Sequence, residues 1–217
     1  MRLLPKMGGV ISIWLTSTLL AMKYLTPLNL AIALLSLLSV NPLMYMKKDF
    51  SLVFPILLSA LAAYILYLNP TTIYFLLAYS ILFIALKFVN DWRIETKIGA
   101  FALTFPFPMM ALAYGAGLME ILAPLTLLFS LTAFNLFLAD SRIYGRVSAK
   151  NYLAIIPLAL IFYILSHPVL AAAVTAAAIV VTVKANSISV RSFGFSLLFL
   201  NLLFVVGFLA LDFAGLL

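Results

Sequence analysis

Six acidic residues stand in this chain of 217, and four of them, Asp49, Asp91, Glu95 and Asp140, fall in short polar segments between long apolar runs. Asn41 lies one to two helical turns before Asp49, and Asn135 the same way before Asp140. Carboxylates from separate loops, joined by amide oxygens, are a set that can hold Mg²⁺ and through it a diphosphate. Arg142 and Arg146, just after Asp140, are the cations placed to contact phosphate oxygens. Asp91 and Glu95 are four apart in Asn-Asp-Trp-Arg-Ile-Glu-Thr-Lys, which shares one face if the segment is helical. The plainer account pairs each acid with a neighbouring Lys or Arg in a solvated loop, where such pairs are common and worth little. The candidate ligand-binding residues are therefore Asn41, Asp49, Asp91, Glu95, Asn135, Asp140, Arg142 and Arg146. No catalytic residue and no metal ligand is assigned. His167 is the one histidine, placed before a proline as a turn residue, and cysteine is absent, which leaves no zinc site and no thiol nucleophile.

Other polar residues sit inside apolar runs. Asn135 and Asn201 are expected to hydrogen-bond between helices. No Asp, Glu or Arg is expected near the middle of a span, and Lys87 lies close enough to a helix end to snorkel. That argues against an ion-coupled pump, which needs buried ionisable residues. Phe105-Pro106-Phe107-Pro108 stands within a long apolar run. Each proline removes a backbone donor and clashes with the preceding turn, so this helix is expected to kink or break. Broken helices line substrate paths in many transporters.

The elements that must position these residues are set by composition. Of all residues 66% are hydrophobic and 9% charged, with a mean hydropathy of +1.25. A water-soluble domain carries about a quarter charged residues, and this chain could not hide its apolar surface from water. The bilayer is the expected solvent, and a spanning helix needs roughly 17–25 mainly apolar residues. Breaks at Thr26-Pro27, Lys47-Lys48-Asp49, Asn69-Pro70, Asn90–Arg93, Glu120, 140–150, His167-Pro168 and 184–191 divide the chain. They predict an all-α polytopic bundle, one transmembrane domain over 1–217. Its nine helices fall near 8–22, 28–46, 50–68, 71–89, 98–118, 121–139, 152–166, 169–183 and 193–214. The seventh and eighth are short enough to be two spans or a re-entrant pair.

Orientation follows from charge. With the N-terminus inside and the C-terminus outside, Arg2, Lys6, Lys47, Lys48, Lys87, Arg93, Lys97, Arg142, Arg146, Lys150, Lys184 and Arg191 all fall on inner segments, and Lys23 alone falls outside. A miscounted helix in the middle would scramble that alternation. The first apolar run follows Arg2 and Lys6 as a signal peptide would, but no A-x-A site follows it, and it is read as a retained helix. Localisation is a multi-pass cell membrane protein. The implied partners are the bilayer and its anionic headgroups on the inner face, each basic residue contributing about 1 kcal/mol near the surface. No nucleic-acid partner is implied.

Three longer motifs carry a resemblance. Leu-Pro-Lys-Met-Gly-Gly at the start, Asn-Pro-Leu-Met-Tyr-Met-Lys-Lys after the second helix and Asn-Asp-Trp-Arg-Ile-Glu-Thr-Lys-Ile-Gly-Ala after the fourth resemble the YwiC-like membrane protein family, as does Asp-Ser-Arg-Ile-Tyr-Gly-Arg after the sixth. Where that family tends to show P-K-x-H-G, this chain has Gly8 before Gly9. The resemblance implies a bacterial or archaeal membrane protein without assigned chemistry. The nine-helix, N-inside plan is also similar to the UbiA prenyltransferase superfamily, whose Mg²⁺ and diphosphate are held by paired aspartates on two inner loops. Here each corresponding loop has one, Asp49 or Asp140, so the catalytic pattern is missing and the reading leans away from an enzyme. Three functions stay open: a YwiC-like protein binding a lipid or isoprenoid-like ligand at its cytoplasmic side with no cofactor, a divergent Mg²⁺-dependent prenyltransferase, and a small permease.

Overall fold

The computed structural model describes residues 8–24, 26–45, 53–89 and 91–216, and every regular element among them is helical. Among the described residues three apolar stretches, Arg93–Tyr114, Leu118–Tyr144 and Val190–Phe213, are long and apolar enough to cross a membrane. Shorter apolar helices of 10–17 residues accompany them. The chain divides into two compact units, Met1–Leu125 and Thr126–Leu217.

The first unit contains α1 Gly8–Leu20, a 3-10 turn Met22–Tyr24, α2 Pro27–Tyr45, α3 Val53–Leu68, α4 Thr72–Phe88, α5 Trp92–Ala102 and α6 Pro106–Tyr114. Helix α2 opens on proline, whose missing N–H costs nothing in a first turn. Helix α5 starts at Trp92 because Asp91 caps it, its side chain accepting the Arg93 N–H at 2.8 Å. The expected start at 98 is thus six residues late, since Asp91 supplies a helix signal within a segment read as a loop. Helix α6 ends on Gly115, whose φ of 98° is the left-handed cap that glycine adopts without strain. Helix α6 packs against α1, α2, α3 and α4, and Pro106 through Leu112 are all buried. It is the enclosed element of this unit.

Helix α7, Leu118–Tyr144, begins in the first unit and runs mostly in the second. It continues past the expected end at 139, because Asp140-Ser-Arg-Ile-Tyr144 contains no breaker before Gly145. The second unit adds α8 Ala149–Leu153, α9 Ile155–Leu165, α10 Pro168–Lys184 and α11 Val190–Phe213. Ser148 and Asn151 form a reciprocal capping box that starts α8. His167, the turn residue expected before Pro168, is the cap of α10 and accepts the Val169 N–H on Nδ1. A Cβ on Gly207 of α11 would come within 2.6 Å of Leu170 on α10, so the small residue permits that close approach. Phe162 and Phe204, both fully buried, meet edge to face at 5.5 Å between ring centres.

The buried core is mainly apolar, with polar side chains set into it, and large apolar side chains also cover the outside. Buried positions include Ser12, Thr16, Ser17, Asn29, Ser36, Thr104, Thr132, Asn135 and Asn201, whereas Leu57, Tyr64, Leu77, Ile81, Ile84, Ile156, Leu160, Phe195 and Phe199 are exposed. Exposed apolar rows at helical spacing on α3, α4, α9 and α11 exceed what a soluble monomer presents. They are the expected outer surface of helices solvated by lipid.

Candidate functional site

Two polar constructions stand out, one in each unit. In the first, Pro106 and Pro108 supply no N–H, and the helix ladder between α5 and α6 is interrupted over Leu103–Phe105, as the sequence predicts. The chain tightens into i→i−3 bonds, Thr104 N–H to Phe101 O at 3.0 Å and Phe105 N–H to Ala102 O at 3.3 Å. The Phe107 N–H, stranded by the break, donates to Ser17 Oγ of α1 at 3.0 Å, and Ser17 in turn donates to the Thr104 carbonyl at 2.8 Å. A single hydroxyl thereby serves a donor and an acceptor that the prolines left without helical partners. Ser17, Thr104 and Phe107 are almost wholly buried, where an unmade hydrogen bond costs most.

The far end of α6 is held in a comparable way. Asn29 of α2 donates its Nδ2 to the Met110 carbonyl at 3.1 Å and also to the Tyr24 carbonyl. Asn69, between α3 and α4, donates to the Leu112 carbonyl at 3.3 Å. Its Oδ1 accepts from Thr71, the residue before α4 begins. Sequence reading missed Ser17, Asn29 and Asn69. For Asn69 the Asn-Pro dipeptide signalled a turn, but nothing in the sequence paired it with α6.

The second construction lies where α7 and α10 end and α8 and α11 begin. Asn186 pairs with the backbone of Val147 both ways, accepting its N–H at 3.0 Å and donating to its carbonyl at 2.9 Å. Arg142 donates Nη2 to the Ile188 carbonyl at 3.0 Å. Asn151 donates to Ser141 Oγ at 2.8 Å while its Oδ1 accepts the Ser148 N–H. These bonds lock the segments 141–151 and 184–189 into one corner. Arg146, Lys150, Lys184 and Arg191 are exposed on or beside it. Between residues 140 and 191 there are five basic residues and one acid, Asp140.

The remaining candidates are distributed as follows. Asp49 lies outside the described residues, and Asn41 is in the last turns of α2. Asp91 is an exposed helix cap, whereas Glu95 one turn on is buried at 4% exposure, so the two carboxylates do not share a solvated loop. Among the described residues Glu95 is the one buried charged side chain. Asn135 is buried too, and its Nδ2 donates to Asn201 Oδ1 at 2.6 Å, linking α7 to α11 as the sequence expectation has it. Asp140 and Arg142 are half-buried on the last turns of α7, a correction to their expected place in a loop after it. Asn135, Asp140, Arg142 and Arg146 therefore belong to one unit, and Asn41, Asp91 and Glu95 to the other. Among the described residues no cluster of His, Cys, Asp and Glu has the makings of a metal site.

No protein-family model and no solved structure matches this chain. Its chemistry rests on its own residues.

Proposed function

We propose that this chain is a nine-span membrane protein, N-terminus inside, that binds a phosphate-bearing lipid or isoprenoid-like ligand at the basic corner of its second unit. The observation that carries this reading is the lock between Asn186 and Val147, reinforced by Arg142 on Ile188. Cations that merely orient a chain can sit on any loose loop. Here hydrogen bonds hold two loops in one arrangement, which gathers Arg146, Lys150, Lys184 and Arg191 around a fixed backbone and lowers the entropy lost on binding an anion. The exposed apolar rows support the membrane setting. So do Tyr67, Tyr74, Tyr114 and Tyr163, exposed near helix ends that this topology assigns to the outer interface, where tyrosine is favoured. The resemblance to YwiC-like proteins adds no reaction to this reading. The UbiA-like alternative is weaker, because among the described residues Asp140 is the one carboxylate of this corner and Mg²⁺ binds through close oxygen ligands at about 2.0–2.1 Å.

The test uses purified protein in neutral detergent. Binding of a polyprenyl phosphate and of an anionic phospholipid is measured against phosphatidylcholine by native mass spectrometry. Replacing Arg146, Lys150, Lys184 and Arg191 together by Gln should weaken both anionic ligands by tenfold or more, at about 1 kcal/mol per residue. Equal affinity in wild type and the quadruple variant would sink the proposal. A second reading, a small permease, is favoured by one feature, the buried broken rod of α5 and α6. Flux of a polar solute into proteoliposomes that depends on Ser17 would move it ahead.

A further inference from the structure

We infer that Arg142 is the residue that selects the ligand of the basic corner, favouring a phosphate monoester over a diester; the inference rests on the reading of that corner as a phosphate site. Arg142 stands near the end of α7, half-buried, and donates Nη2 to the Ile188 carbonyl at 3.0 Å. Among the described residues this is its one hydrogen bond, and no carboxylate pairs with it. Its Nε is closed off from solvent and has no hydrogen-bond partner among the described residues.

A guanidinium carries a delocalised charge and five donors in a rigid plane. In Arg142 one nitrogen is bonded, another is stripped of water without a bond, and no described side chain supplies the opposite charge. A partly desolvated cation in that state is costly until an anion meets it. The bond to Ile188 O also holds the plane in place, so little side-chain freedom is lost when the anion arrives. Arg146, Lys150, Lys184 and Arg191 differ, being exposed. Hydrated cations of that kind attract any anion and discriminate weakly.

The shape of the donor decides the class of anion. A phosphate monoester presents three terminal oxygens and about −1.5 to −2 charge near neutral pH. Two of its oxygens can lie along the guanidinium edge, which leaves the third for the exposed cations. A diester has two terminal oxygens, a single charge and a substituent on either side, so it serves the guanidinium or the other cations but not both. The chain favours the more highly charged form, with five basic residues against one acid between 140 and 191. The ligand is then a lipid that ends in a free phosphate. Inorganic phosphate shares that chemistry, and one arm of the test separates the two.

The experiment compares, by native mass spectrometry of the full chain in neutral detergent, phosphatidic acid with phosphatidylglycerol of the same acyl chains. The first is a monoester and the second a diester. Wild type should prefer the monoester by about tenfold, the worth of one charge-assisted hydrogen bond. Arg142→Lys keeps the charge and loses the planar fork, and should bring the ratio close to one. Asn186→Ala loosens the corner but leaves Arg142 in place, so it should weaken both lipids and keep their ratio. That contrast separates recognition by Arg142 from its part in holding the loops. Equal binding of the two lipids by wild type, a preference that survives Arg142→Lys, or one that vanishes in Asn186→Ala would overturn the inference and leave the corner a general anion site. Displacement of phosphatidic acid by an equal concentration of inorganic phosphate would overturn the lipid as the ligand. If wild type binds neither lipid above phosphatidylcholine, the reading of the corner itself fails.

Discussion

Ser17 and Phe107 lie ninety residues apart in sequence and 3.0 Å apart in space, the Ser17 hydroxyl accepting the backbone N–H that the proline pair detaches from its helix. The break between α5 and α6 is thus a capped junction, with α1 supplying the cap. Because Ser17 also donates to Thr104 O, α1 is bonded both to the interruption and to the start of α6. Such a helix is an integral part of the first unit.

Ser17→Ala should therefore lower stability by about 1–3 kcal/mol, since it leaves a buried donor and a buried acceptor unmade. Thr104→Val should cost less, because its hydroxyl bonds the Phe101 carbonyl only three residues back along the chain. Unfolding in mixed micelles, followed by circular dichroism, ranks the two. A larger loss for Thr104→Val would show that the bridge is not what holds the break.

The amide pair in the second unit allows a cleaner measurement. Asn135→Leu and Asn201→Leu, taken singly and together, form a double-mutant cycle across a 2.6 Å hydrogen bond. The coupling energy should be about 0.6–1.7 kcal/mol, the range found between membrane helices. Strict additivity would mean that the two residues act independently.

Limited proteolysis examines the basic corner. Asn186→Ala removes both bonds to Val147, and Arg142→Ala removes the tie to Ile188. Each variant should be cut faster than wild type by trypsin at Arg146, on the freed loop, while α9 and α10 stay protected. Unchanged cutting at Arg146 would mean that the loops keep their arrangement without these bonds.

Topology has its own test. Nine spans with alternating basic segments require the two ends of the chain to lie on opposite sides. A reporter active only in the cytoplasm, fused after Leu217, should be silent. An active one would make the number of spans even, and the pair α9 and α10 would be the first suspect.

Much of the helix plan was legible in the sequence, because its signals are local. Pro27, Asn69-Pro70 and His167-Pro168 stop or start helices through bonds that proline cannot donate, whatever surrounds them. Pro106 and Pro108 likewise announce their break. Boundaries failed where a local signal was weighed as loop polarity: Asp91 is a cap, and the charged stretch after Ala139 stays helical until Gly145.

The apolar composition, most of the helical segments and the places where the ladder had to fail can be read from the order of residues alone. The folded chain shows which residues make good the failures: Ser17 for Phe107, Asn29 and Asn69 for the end of α6, Asn186 for Val147. It also separated Asp91, exposed as a cap, from Glu95, buried one turn later. The reason is physical. In helices that are apolar on nearly every side, hydrophobic periodicity no longer tells the inward face from the outward one. The inward face is set instead by a few polar and small side chains whose partners lie tens of residues away, and those pairings exist only once the helices have packed.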